Sequence, residues 1–245
     1  MKHPFRSNIL PYFTMGAAGL GFVLRLWLFS AVDEKGLLPA NHPAGALLFL
    51  LSAAVIGILF LATRKPGPGT FSKLPRVCFL IAGALSCIGL VYSALTKHNA
   101  IVDFSGTTSR LTNMAVILGF LGGLLMLFMG ILDFRRNKYH YFTGFILTIC
   151  LMVETVSQCR VWGAEPQLQV YFFPLMASVF LLLTAYQKTM LLARKAKRST
   201  LAFFSQAAAY FCCLSFNSFH KVFYCGMFLW AALQIYACLP RKKEA

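Results

Sequence analysis

The chain alternates long, unbroken apolar runs with short polar segments that carry most of its charge. Runs such as LLFLLSAAVIGILFL show neither the alternation of a half-buried strand nor the single stripe of a surface helix. About 20 residues of this kind make a helix that crosses ~30 Å of hydrocarbon. The runs lie near 9–32, 43–63, 77–96, 113–134, 140–160, 170–193, 201–217 and 221–239, and they predict eight transmembrane helices in one bundle over residues 1–245. The seventh, LAFFSQAAAYFCCLSFN, is short and more polar, so seven crossings with a tilted or re-entrant segment is the competing arrangement. A membrane β-barrel would instead show alternation over about ten residues in each strand. The fold class expected is therefore an all-α, polytopic integral membrane protein.

Composition sharpens this picture. Of 245 residues, 58% are hydrophobic and 12% charged, against roughly 45–50% and about 25% in soluble domains. With 24 Phe, the chain is the opposite of a disordered composition. The net charge of +16 would suit a nucleic-acid binder, but its placement argues otherwise. With the N-terminus inside, cytoplasmic segments hold 17 Lys or Arg, Lys188 among them, and outer segments hold 5, namely Lys35, Lys97, Arg110, Arg160 and Lys221, with Arg25 left inside a span. The positive-inside rule then puts both termini in the cytoplasm, which needs an even number of crossings. Basic turns such as Arg194-Lys-Ala-Lys-Arg198 are expected to anchor on anionic headgroups, each charge worth about 1 kcal/mol near the surface. Nucleic acid is not an expected partner.

The first run resembles a signal sequence, but Arg25 interrupts it and Phe29 is too large for a cleavage-site position, so it reads as a retained helix. Among the cysteines, Cys78, Cys87, Cys150, Cys212, Cys213, Cys225 and Cys238 fall within spans and Cys159 near an outer boundary, so no disulfide framework is implied. Ala17-x-x-x-Gly21 and Gly119-x-x-x-Gly123 suit close helix packing, inside the chain or in a homodimer. No segment outside the membrane is long enough to fold alone.

The candidate chemistry is sparse. Motifs for zinc proteases, serine hydrolases and nucleotide binding are absent. The chain therefore reads less well as an enzyme, and no cofactor or metal is expected. Ionisable groups inside spans usually face a cavity or each other. Arg25 and Glu154 each sit six residues from the outer end of their span, about 9 Å deep at 1.5 Å per residue, and equal depth permits them to pair. Span 5 adds Thr143, Cys150, Ser157 and Gln158. Span 7 carries Gln206, Tyr210, Cys213 and Asn217, then His220, at steps of four and three that keep them on one face. The connector DEKGLLPANHPAG, with Leu37-Leu38, is a shaped turn above them. The inner half is expected to be apolar apart from Gln206 and Gln234.

Together these residues predict an outer-half site of Arg25, Glu154, Gln158, Tyr210, Asn217 and His220. Its expected role is to bind or transport a small polar or amphipathic molecule. The rival is a non-catalytic subunit or sensor of a larger membrane complex, and an intramembrane lipid-modifying enzyme comes third. The chain resembles compact bacterial inner-membrane proteins, so the expected location is a bacterial cytoplasmic membrane.

Overall fold

The computed structural model describes residues 9–32, 42–64, 77–103, 110–135, 140–162, 168–217 and 220–238. They form α1 (Leu10–Ser30), α2 (Pro43–Arg64), α3 (Val77–Asp103), α4 (Arg110–Arg135), α5 (His140–Trp162), α6 (Leu168–Leu192), α7 (Arg198–Leu214), a 3-10 turn (Ser215–Asn217) and α8 (Lys221–Cys238). Among the described residues there is no strand. Seven of these helices are long and apolar enough to cross a membrane. This is a multi-pass membrane protein by its helices.

α7, expected to be short and more polar, qualifies as a span together with its 3-10 turn. The polarity of α7 carries little cost because the helix faces protein rather than lipid. It packs against α1, α2, α6 and α8, and ten of its 17 residues are buried. A polar side chain is costly where lipid surrounds it and can find a partner where it faces protein.

Neighbouring helices run antiparallel. Gly83 faces Gly130 while Gly119 faces Ala94, which sets α3 against α4. Gly89 meets Phe223 and Gly226 meets Leu85, which sets α3 against α8. Small residues let the backbones approach, and at Gly226 an added Cβ would lie 2.4 Å from the Leu85 carbonyl oxygen. The glycines of α4 and Gly21 of α1 are thus spent on packing inside the chain. Gly21 lies against Tyr210 and Leu214 of α7.

α1 and α2 join the rest through α7 and through ring contacts to α6, while α3, α4, α5, α6 and α8 pack in a chain of neighbours. An aromatic seam of Phe49, Phe173, Phe180, Phe203 and Phe211 ties α2, α6 and α7 together. The α6–α7 turn closes with Lys195 N–H on the Met190 carbonyl and Arg194 N–H on that of Leu191. This is a Schellman cap, and its left-handed position, normally glycine, is Arg194 at φ 59°. The α1–α2 connector, residues 33–41, and the loop 65–76 lie outside the described residues.

Candidate functional site

The sequence places Glu154 one and a half turns from the end of span 5, and the helix buries it to 4% exposure. A carboxylate there needs donors, and three reach it. Lys97 Nζ lies 2.5 Å from Oε1, Gln158 Nε2 donates to the same oxygen at 2.9 Å, and Ser93 Oγ donates at 3.4 Å. All three bonds converge on Oε1; none of them uses Oε2.

Lys97 was expected in an outer loop. It sits in the bundle because α3 continues to Asp103 rather than stopping at 96, so that the helix is about 40 Å long at 1.5 Å rise. Its side chain is 12% exposed and forms an ion pair with Glu154.

From Gln158 the network spreads to two further helices. Its Oε1 accepts Ser178 Oγ at 2.6 Å and the Tyr224 hydroxyl at 3.4 Å. Tyr224 also donates to the Pro174 carbonyl at 3.1 Å, within α6. His220, in the turn before α8, lies within electrostatic range of both Lys97 and Glu154. Burial, then the Lys97 charge, push its pKa below 6.5, while Glu154 pulls it back up. The imidazole is therefore neutral at neutral pH.

Arg25 takes a different place from the one expected. The Arg25–Glu154 pair does not form: Glu154 is held by Lys97, and Arg25 Nη1 donates to the Leu214 carbonyl. That carbonyl ends α7, where the last carbonyls lack partners along the helix and carry partial negative charge. The guanidinium lies over the rings of Phe29 and Phe173, at 5.4 and 5.3 Å from their centroids. Equal depth did not suffice, because α1 packs on α2 and α7 whereas α5 packs on α4 and α6. Arg25 reaches the Glu154 layer through its charge on Tyr224.

The stripe on α7 divides in the same way. Tyr210 shares a 3.0 Å hydrogen bond with Ser52 of α2, and Cys213 Sγ points at the Ala18 carbonyl of α1. Gln206 is buried, and its amide nitrogen meets no acceptor among the described residues. Asn217 is exposed at the end of the 3-10 turn. That turn breaks the register, so the regular steps of the stripe do not carry His220 onto the face of Tyr210. Of the six predicted residues, Glu154, Gln158 and His220 come together, Arg25 borders them, and Tyr210 and Asn217 lie elsewhere.

The opposite end is not apolar. Lys188, counted from sequence as a cytoplasmic-turn cation, is 4% exposed inside α6. Its Nζ lies 2.6 Å from Asp133 Oδ2 of α4 and 5.7 Å from the centre of the Trp230 ring. This gives mid-span Trp230 its cation partner.

No known family model matches this chain, and neither a curated protein nor a solved structure matches it. The arrangement therefore has to be read from its own chemistry. Sequence reasoning missed Ser93, Lys97, Ser178 and Tyr224. Of these only Lys97 carried a signal: it lies four residues after Ser93, at the spacing that stacks side chains on one helical face.

Proposed function

We propose that the layer around Glu154 is the binding site of a small polar or amphipathic molecule, and that the protein carries or senses this molecule in a bacterial cytoplasmic membrane. The observation that carries this reading is the convergence of α3, α5, α6 and α8 on one buried network, in which α3 and α5 bond the Glu154 carboxylate and α6 and α8 bond Gln158 beside it. Buried polar groups cost stability unless they are satisfied. A bundle needing only cohesion holds together with apolar contacts and small residues, as the α3–α4 interface does. In the expected orientation, with both termini cytoplasmic, the layer sits in the outer half and receives its ligand from outside. Tyr210 with Ser52 lies at the α2–α7 contact, apart from this layer. The basic cytoplasmic turns would hold the protein on anionic headgroups.

The test is a thermal-shift panel of small neutral, anionic and cationic metabolites on purified full-length protein, repeated with Glu154→Gln. Stabilisation by one class that is lost or altered in the variant supports the site. If no class shifts the parent protein, while it co-purifies stoichiometrically with another membrane protein, a subunit role replaces the binding role.

A further inference from the structure

The layer around Glu154 has a charge problem that limits what can enter it. Lys97 and Glu154 form a buried pair whose charges cancel, with side chains 12% and 5% exposed. A charge left alone in such surroundings is strongly unfavourable. Any charged guest must therefore arrive with its own compensation, or displace a charge of the same sign.

The geometry indicates which. Ser93 on α3 and Gln158 Nε2 on α5 donate to the carboxylate beside Lys97, while Ser178 on α6 and Tyr224 on α8 donate to Gln158 Oε1 and orient its amide. Lys97 is the one cation bonded to the carboxylate among the described residues. Glu154 takes all its hydrogen bonds on Oε1, so Oε2 is the oxygen on which a proton can settle without displacing a neighbour.

We propose that the guest is a small anion, that it takes the Lys97 ammonium from Glu154, and that Glu154 is released to bind a proton from water on Oε2. Before the exchange the layer holds Lys97⁺ and Glu154⁻. After it, Lys97⁺ faces the anion and Glu154 is a neutral acid. The net charge is unchanged, and the anion and one proton enter together. This inference rests on the small-molecule site proposed above and names its ligand class and coupling.

Other titratable groups face the same space. His220 approaches from the turn before α8, Tyr224 from α8 and Arg25 from α1 through Tyr224. The side chains of Arg110 at the start of α4 and Arg160 late in α5 are outside those described. His220 is held neutral by burial and by Lys97, and a second positive charge beside Lys97 would be repelled. Glu154 is therefore the acceptor.

The probe is methanesulfonate, an anion that takes up no proton itself near neutral pH. It is added to weakly buffered, detergent-solubilised full-length protein, with binding read by equilibrium dialysis and proton uptake by an indicator dye. The expected result is about one proton taken up per bound anion, since proton number and ligand occupancy are linked. Glu154→Gln, which imitates the protonated acid, should bind the probe with no proton uptake and without dependence on pH. The double variant Lys97→Gln with Glu154→Gln, which leaves no unpaired charge and so guards against misfolding, should bind neither probe nor proton.

Binding of the anion without proton uptake by the parent protein overturns the proposal, as does proton uptake that persists in Glu154→Gln. Methylammonium is the cation control. If it binds while methanesulfonate does not, the anion inference fails and the small-molecule site stands. If neither binds, the inference fails, and the metabolite panel decides the site separately.

Discussion

Lys97 faces Glu154 inside the bundle, and the two residues should behave as a unit. Removing one partner of a buried pair leaves an uncompensated charge and costs about 3–5 kcal/mol, whereas removing both is often nearly neutral. Lys97→Gln and Glu154→Gln should each lower stability by that order, and the double variant should recover most of the loss. Arg25→Leu combined with Glu154→Gln should show the smaller coupling, since Arg25 instead closes the end of α7. Double-mutant cycles with a thermal-unfolding readout separate the two cases; equal coupling would contradict the geometry. His220 makes a second prediction. Its folded pKa lies below its ordinary value of 6.5, so an exposed His220 binds a proton at a pH where the folded one does not. Stability should therefore fall as pH drops through about 6.5 toward the folded value, and the loss is complete below that value. His220→Asn should flatten this fall in a Tm-against-pH series. A slope unchanged by the substitution would mean that another group drives it.

Helix contacts here depend on the absence of a side chain at particular positions. At Gly226 an alanine methyl would stand 2.4 Å from the Leu85 carbonyl oxygen, a backbone atom that cannot swing away. Gly226→Ala should therefore wedge α8 from α3 at a cost of about 1–3 kcal/mol, as overpacking does. It would also disturb the Ser86 Oγ bond to the Gly226 carbonyl, at 3.1 Å. Gly16→Ala is the contrast, because no atom lies within 4 Å of its added Cβ, and it should leave Tm unchanged. Equal effects from the two would refute the interface. The α6–α7 turn offers the opposite sign. Arg194 occupies the left-handed region at φ 59°, which costs a non-glycine residue roughly 1–2 kcal/mol. Arg194→Gly should recover about 1 kcal/mol of that, net of the extra freedom glycine gains in the unfolded chain, visible as a raised Tm.

At the scale of the bundle, the described residues include two ion pairs at opposite ends. Lys97 lies near the end of α3, and Asp133 near the end of α4, its antiparallel neighbour. Which end faces the cytoplasm follows from the 17-to-5 asymmetry of basic residues and the statistical preference behind it. A cysteine at Thr70→Cys should be shielded from an impermeant reagent added to intact cells, and one at Asp103→Cys should be labelled above the parent chain. The reverse pattern would invert the proposed orientation and place the Glu154 layer in the inner half.

The apolar runs were sufficient to show a multi-pass helical protein, because in hydrocarbon a backbone must satisfy its own hydrogen bonds and long apolar helices do so locally. Glu154 and Gln158 could be singled out for the same reason: a charged or amide side chain within such a run needs a partner. Which partner it finds is not a local property. Lys97 was hidden because helix ends drift by several residues, and α3 ran on past the polar boundary that suggested its end. Lys188 lay within the span expected at 170–193, and its pairing with Asp133 of α4 depended on which helices pack together. Arg25 and Glu154 share a depth but not an interface, and depth is all that position along a helix conveys. The stripe on α7 followed helical steps only as far as Leu214, where the 3-10 turn changed the direction of what followed. Helix existence comes from residues in sequence and their solvent; pairing across helices comes from which faces pack together, and that is set by the fit of the entire bundle.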